Sequence, residues 1–380
     1  MNIYFDNAAT TPLRIEVIDS INDCMKKYYG NSSSSHSFGR ANKSLLENAR
    51  KSIASMINAT EDEIIFTSGG SESNNSILRS CVRELGVKTI ISSTIEHHAV
   101  LNVLDLLKSE GINIKYVKLD KFGEVDFSDL EELLRSNDGV KLVSLMYINN
   151  EIGNLLDIDK VTRLCELYNS YFHTDSVQAM GHFKINLKSK PIHFLSASAH
   201  KFHGPKGIGF SFIRKGIALK PFIIGGPQER GMRAGTEAVD RIVGMQKALE
   251  ISYENHQKEK EHILGLKKYF IKRIRNFFPE AHFNGHSENL KKSSFKIVNV
   301  AIPINSSKSD LIDFHLDLKG IACSKGSACQ SGSSKGSHVL KEIKKGNDLL
   351  DKMPSLRFSF SFLNTKKEID YLIKTLTDLK

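Results

Sequence analysis

Hydrophobic positions along the chain follow two alternating rhythms. Short, nearly continuous apolar runs at 64–67, 88–92, 114–119 and 141–148, with another opening at Tyr171, read as strands. Between them, apolar residues recur three and four apart over 73–85, 98–109, 129–135 and 158–169. Val100, Val103, Leu104 and Leu107 fall on one face of the second of these stretches, as an amphipathic helix requires. Repeated strand–helix–strand units predict a mostly parallel sheet covered by helices on both faces, an α/β architecture. Ahead of it, an extended arm over 1–15 leads to a helix over 15–29, a serine- and glycine-rich loop over 31–39, and a helix over 41–57.

The second half keeps the strand rhythm at 192–195 and 208–213, on either side of a turn built from Gly204, Pro205 and Gly207. A glycine-punctuated loop follows over 225–237. From 238 to about 278 no proline interrupts a charged helical pattern, so one long helix is expected to leave the large domain. Strands over 295–302 and 355–362, with helices over 309–318 and 368–379, then make an α+β unit. The expected division is a large domain over 16–255 and a smaller one from 1–15 and 256–380, the latter carrying a small-residue loop at about 322–337.

Composition narrows the class. A chain of 380 residues, 40% hydrophobic and 25% charged, can bury a large core and has the balance of a globular protein. No apolar run reaches the roughly 18 residues that cross a bilayer. The first residues show neither a basic leader nor an apolar core of a signal sequence, so a cytoplasmic protein with no membrane partner is expected. Five scattered cysteines (Cys24, Cys81, Cys165, Cys323 and Cys329) are too few for a disulfide framework, and their spacing gives no metal site. The net charge of +10 sits largely on helical faces of the last third without interleaved aromatic residues, so no direct nucleic-acid binding is expected.

Candidate chemistry gathers where strands end. Lys201 follows an apolar strand and precedes a rigid turn, which suits an amine that forms a Schiff base. Asp175 ends the strand that opens at Tyr171, and Thr67-Ser68-Gly69-Gly70-Ser71 forms a turn at a helix start. An amine for an aldehyde, a carboxylate for a ring nitrogen and backbone amides for a phosphate are what pyridoxal phosphate requires. In open parallel sheets ligands bind beyond the carboxyl ends of the strands, where Ser68, Asn150, Asp175 and Lys201 all fall. Taken singly, each has a plainer role: a solvating lysine, a helix N-cap at Asp175, a turn residue at Asn150.

Five motifs turn this pattern into a family resemblance. They are Phe5-Asp6-Asn7-Ala8-Ala9-Thr10-Thr11-Pro12, the run from Thr67 to Asn75, Glu96-His97-His98-Ala99-Val100, Asn149-Asn150-Glu151-Ile152-Gly153 and Ser327-Ala328-Cys329. Together they resemble the cysteine desulfurases, pyridoxal-phosphate enzymes of the class V aminotransferase family, in the branch with a long cysteine-bearing loop. The likeness extends over nearly the whole chain and implies the fold type I architecture of pyridoxal-phosphate-dependent transferases.

The resemblance also assigns roles. Lys201, Cys329 and His97 become catalytic. Gly70, Ser71, His97, Asn150, Asp175, Gln178, Ser198, His200 and Lys201 become cofactor ligands, with Thr236 reaching the phosphate of the other subunit in a homodimer. Asn7, Ala8, Asn150 and Arg357 become substrate ligands, Arg357 gripping the α-carboxylate from a strand edge that faces a cleft. His97 is preferred to its neighbour His98 on the match to Glu-His alone. Cys329 lies among small residues between Lys325 and Lys335, which favour the thiolate, whereas Cys323 beside Ile321 and Ala322 reads as buried.

The implied activity converts L-cysteine to L-alanine and loads the sulfur on Cys329 as a persulfide. Delivery is to an iron–sulfur scaffold protein or another acceptor, in cluster assembly or in tRNA or cofactor thiolation, and Cys329 itself can transiently ligate an iron–sulfur cluster. Three departures from the family pattern stand out: Ser32 where a proline is usual, Ser71 where threonine is common, and Lys325 where many members have serine. A selenocysteine lyase or a cysteine sulfinate lyase of the same fold is the alternative. A non-catalytic sulfur-delivery subunit is disfavoured by the joint presence of Lys201, Asp175, His97 and Cys329.

Overall fold

The computed structural model describes residues 2–304, 311–325, 336–345, 347 and 353–379. Strand β1 (Ile3–Tyr4) and helices α1 (Ile15–Lys27) and α2 (Ser37–Met56) precede the main sheet. That sheet is built from β2 (Ile64–Thr67), β3 (Thr89–Ser92), β4 (Asn113–Tyr116), β5 (Lys141–Ser144), β6 (Tyr171–Asp175), β7 (Phe194–Ser198) and β8 (Gly209–Ile213), in the order β2-β8-β7-β6-β5-β3-β4. Strands β7, β6, β5, β3 and β4 run parallel, while β8 runs antiparallel to both β7 and β2. Alternate side chains explain the continuous apolar runs. Ile90, Leu142 and Phe194 enter the core with α3 (Gly70–Leu85) and α4 (His98–Ser109). Ile91, Val143 and Leu195 enter the opposite one with α1, α2, α5 (Phe127–Ser136), α6 (Ile158–Leu167) and α7 (Val239–Glu254).

The expected long helix is two helices, α7 and α8 (His256–Phe277). Asn255, with φ −90° and ψ 5°, ends the first and starts the second, and its side-chain amide donates to the Ile251 carbonyl at 3.2 Å. Asparagine competes for backbone groups in this way, and a scan for proline does not detect it. Helix α2 likewise starts four residues earlier than expected, because the His36 Nδ1 accepts from the Gly39 amide and caps it.

A second, antiparallel sheet has the order β12-β13-β10-β9, from β9 (His282–Phe283), β10 (Ile297–Ala301), β12 (Ser324–Lys325) and β13 (Ser355–Ser359). Strand β11 (Ile321–Ala322) pairs in parallel with β1, which fastens the N-terminal arm to this unit. Its core unites Phe5 with Phe270 of α8, Phe358 of β13 and Ile369 of the helix Lys366–Thr377. Arg357 was expected on a strand edge; β13 instead lies inside the sheet, between β12 and β10, and Arg357 is buried. The short strand β12, invisible to a pattern search at two residues, covers what would have been that edge.

One buried cation sets a pH dependence. Lys267 of α8 donates to the Ser293 hydroxyl at 2.8 Å, the Ser294 carbonyl at 2.7 Å and the Ile297 carbonyl at 3.0 Å, and burial brings its amine down to about 7. The unfolded chain holds that proton up to about pH 10.4, so folding releases it over the window between. Stability from this group therefore rises with pH, by up to about 1.4 kcal/mol per pH unit. Lys267→Met is expected to remove that slope, so its melting temperature relative to wild type is higher at pH 7 than at pH 9. Thermal unfolding at the two pH values measures it.

Candidate active site

Strand β7 runs into a short turn, Ala199–Lys201, so Lys201 leaves the sheet at the carboxyl ends of its parallel strands. Its Nζ donates to the Ala8 and Ala9 carbonyls at 2.8 and 2.7 Å. Beside it β6 ends at Asp175, which is buried. One carboxylate oxygen accepts from Asn74 Nδ2 at 2.7 Å and the other from the Val177 amide at 3.0 Å, which fixes the plane of the group. Both residues line one cavity of about 230 Å³, together with His97, Asn150, Gln178 and Arg357.

The cavity's other end is the start of α3. Gly70 and Ser71 line it with Ser198, His200 and Ala8, and a neighbouring hollow continues past Ser68 to Lys206. The unpaired amides of a helix N-terminus attract an anion here. Gly69 needs its φ of +145°, and a Cβ on Gly70 would stand 2.5 Å from Val177 Cγ2, so this turn excludes side chains. His200 hydrogen-bonds through Nδ1 with the Thr10 hydroxyl at 3.1 Å, and burial brings it down to about 4, which makes it a neutral ligand at physiological pH.

His97 caps α4, its Nδ1 accepting from the Ala99 amide at 3.1 Å. Burial lowers it below the usual histidine range, with Asp175 pulling the other way. His98 does not line the cavity; its ring packs on His338 with centroids 4.5 Å apart. Glu96, fully buried, accepts from the Ser93 hydroxyl and the Met146 amide, and burial pushes it up to about 8.

Arg357 is held on two sides. Nη1 donates to the Asn150 carbonyl at 2.9 Å, and Nη2 to Asp6 at 2.7 Å and to the Ser324 hydroxyl at 3.0 Å. Its Nε is buried without a partner among the described residues. An orphaned guanidinium donor on a cavity wall is a site for an incoming carboxylate.

Not every residue named from the sequence reaches the cavity. Asn7 donates to the Ser359 carbonyl at 2.9 Å and is not on the lining, whereas Ala8 is. Thr236 lies at a separate surface hollow with Tyr28 and Tyr29. Cys329 and Lys335 lie outside the described residues. Cys323 is partly buried against the core of the small sheet, and burial raises its thiol. Asn74, Thr10 and Lys206 are neighbours of the site to which the sequence assigned no role, although Thr10 and Asn74 fall inside two of the motifs. Asn74 was legible only as a position one helical turn past Gly70, on the face that meets β6.

A family model for class-V aminotransferases matches residues 3–372. The chain belongs to the class-V aminotransferases. Within this family it is 41% identical, over 98% of its own length and 93% of the relative's, to the cysteine desulfurase IscS of Dictyoglomus turgidum. The solved structure of a NifS-like protein superposes with a TM-score of 0.89 at 34% identity, covering 100% of this chain and 99% of that one. The structure of SspA in complex with cysteine superposes with a TM-score of 0.81 at 28% identity, covering 96% of this chain and 100% of the other. The chain is thus a class-V aminotransferase of the cysteine desulfurase type, with the fold type I architecture.

The cofactor of this family is pyridoxal phosphate, and the cavity fits it. A buried carboxylate at Asp175, the amine of Lys201 and a glycine cradle at the start of α3 share one wall system. Gln178 keeps a buried Oε1 without a partner among the described residues while its Nε2 donates to the Ala8 carbonyl, leaving polar capacity for a ligand. No helix among the described residues is long and apolar enough to cross a membrane.

Proposed function

We propose that this cavity converts L-cysteine to L-alanine and that the sulfur is collected by Cys329 as a persulfide. The observation that supports the reading best is that Arg357 lines the same cavity as Lys201 and Asp175, which offers an amino acid's carboxylate a cationic partner beside the amine. Pyridoxal phosphate, when bound, supplies an aldehyde for the amino group and a ring that accepts electrons from Cα.

The chain supplies the rest. Asp175, oriented by Asn74 and the Val177 amide, would keep a proton on the ring nitrogen. The α3 amides with Ser71, Ser198 and neutral His200 would hold the phosphate. Gln178 and Asn150 would face the ring oxygen, and Arg357 would bind the substrate carboxylate. Lys201 would move the proton at Cα. His97, its basicity lowered by burial, would manage protons at the substrate thiol and product. Overall, cysteine and the Cys329 thiol give alanine and the Cys329 persulfide: the Cβ–S bond breaks, an S–S bond forms, and Cβ gains the proton.

A homodimer in the cytoplasm, passing sulfur to an iron–sulfur scaffold or another acceptor, completes the reading. Exposed Met25 and Tyr29 line the hollow of Thr236, and exposed Phe38 packs on Tyr29, a surface for a second copy whose cofactor phosphate Thr236 would meet. Cys24, Cys81, Cys165 and Cys323 are unpaired thiols, as a reducing compartment favours. Mass spectrometry of the protein after exposure to L-cysteine tests the chemistry. One extra sulfur on the peptide containing Cys329, absent in Cys329→Ser while that variant still binds cysteine, is expected. Alanine release at the wild-type rate by Cys329→Ser would overturn the assignment and favour a lyase.

A further inference from the structure

Two buried serines bracket the stretch that contains Cys329, and each gives its hydroxyl proton to a carboxylate beside Arg357. At the near end, Ser324 of β12 pairs with Arg357 across the sheet, and its Oγ donates to Asp6 Oδ1 at 2.8 Å. The same Asp6 oxygen receives Arg357 Nη2 at 2.7 Å, and Nη2 also reaches the Ser324 hydroxyl, so the three groups close a ring.

At the far end, Ser337 Oγ donates to Glu151 Oε2. Glu151 is fully buried, and its turn is rigid: its amide is held by Asn149 Oδ1 at 2.9 Å and its carbonyl by Asn299 Nδ2 at 3.1 Å. Between Glu151 and Arg357 stands Asn150, whose carbonyl accepts Arg357 Nη1 and which lines the cavity. The next residue, His338, hydrogen-bonds through Nε2 with the Glu96 carbonyl at 2.9 Å, directly before His97. Val339 packs with Ile95 and Ile152, so the short helix His338–Ile343 has an apolar seat that does not depend on the serine.

Taking the Ser337–Glu151 pair away from water, and the Ser324–Asp6 pair partly so, is costly unless their geometry is held; the second pair also orients Arg357. We propose that Ser324 and Ser337 are positioning residues that fasten both ends of the cysteine-bearing stretch to the shell of the substrate-binding arginine. This rests on the reading of Cys329 as the sulfur acceptor. The arrangement makes Arg357 a common reference point. The group that fixes the substrate's carboxylate also fixes, through Asp6 and Asn150–Glu151, the two points from which the acceptor thiol is suspended.

The test separates anchoring from folding and from cofactor chemistry. In Ser337→Ala, amide hydrogen exchange across 324–340 is expected to accelerate. Cysteine binding and exchange of the substrate Cα hydrogen with solvent deuterium should stay within about 3-fold of wild type, while persulfide formation on Cys329 slows about 10–100-fold, the scale of a small misplacement of reacting atoms. Ser324→Ala, which also takes a partner from Arg357 Nη2, is expected to slow persulfide formation and to weaken cysteine binding together. Because Ser337 also caps its helix by accepting from the Leu340 amide at 3.0 Å, Glu151 is varied in parallel. Glu151→Ala should reproduce the slow sulfur transfer, and Glu151→Gln, which keeps an acceptor oxygen, should restore it. Unchanged persulfide formation in Ser337→Ala overturns the proposal, as does unchanged hydrogen exchange. An equal loss of Cα exchange and sulfur transfer in Ser337→Ala overturns it too, since that marks a merely structural role. Wild-type protein that gains no sulfur on Cys329 overturns the underlying functional reading instead.

Discussion

Lys201→Ala is expected to give a folded protein that binds pyridoxal phosphate without covalent attachment and does not turn over L-cysteine. Folding should survive because the β7–β8 pairing and the Ala199–Lys201 turn rest on backbone bonds, among them Ala199 N to the Ile208 carbonyl at 3.1 Å. What is lost is the amine held over the Ala8 and Ala9 carbonyls, which in the proposed chemistry would serve twice, as the cofactor's anchor and as the carrier of the Cα proton. Loss of proton transfer alone costs about 10²–10⁴-fold in rate. Borohydride reduction followed by mass spectrometry is the direct measurement. The wild-type chain should retain the cofactor's mass and the variant should not; a variant that retains it, or turns over normally, removes Lys201 from the mechanism.

Asp175→Asn should be nearly as severe by a different route. The carboxylate is buried, and its two oxygens are already oriented by Asn74 and the Val177 amide, so an amide fits the space while the charge disappears. Removing one member of a buried ion pair costs about 3–5 kcal/mol, and each 1.36 kcal/mol of barrier is about tenfold in rate. A fall of roughly 10²–10⁴-fold in kcat is therefore expected, with the cofactor still bound and its absorbance displaced toward that of the unprotonated ring. Wild-type kcat in this variant would assign Asp175 to helix capping alone.

Much of this was legible before any coordinates. The strand rhythm is strong because β3, β5 and β7 are covered on both faces, so neighbouring residues such as Ile90 and Ile91, Leu142 and Val143, or Phe194 and Leu195 are both apolar. The motif residues at the ends of β6 and β7 and at the start of α3 do meet at one cavity, because a parallel sheet places all its carboxyl ends on one side. Asn74 escaped notice because its role depends on a partner 101 positions away, and no local spacing encodes that. The break at Asn255 was hidden because asparagine is tolerated in helices unless its side chain turns back on the backbone. The interior placement of β13 depends on β12, whose two residues carry no period at all. The fastening of Ser337 to Glu151 joins residues that sequence reading had treated as part of a loop and of a turn.

The anchorage of Ser324 has a geometric corollary for cargo delivery. Four peptide links separate Lys325, the last residue of β12, from Cys329, and a fully stretched chain advances about 3.3–3.6 Å per residue. A sulfur atom riding on that cysteine is consequently leashed to a sphere about 14 Å in backbone radius, centred close to Arg357. On the proposed sulfur transfer, a recipient protein would have to bring its own thiol or metal within that reach, and the surface around the cavity would act as a filter on which recipients are served.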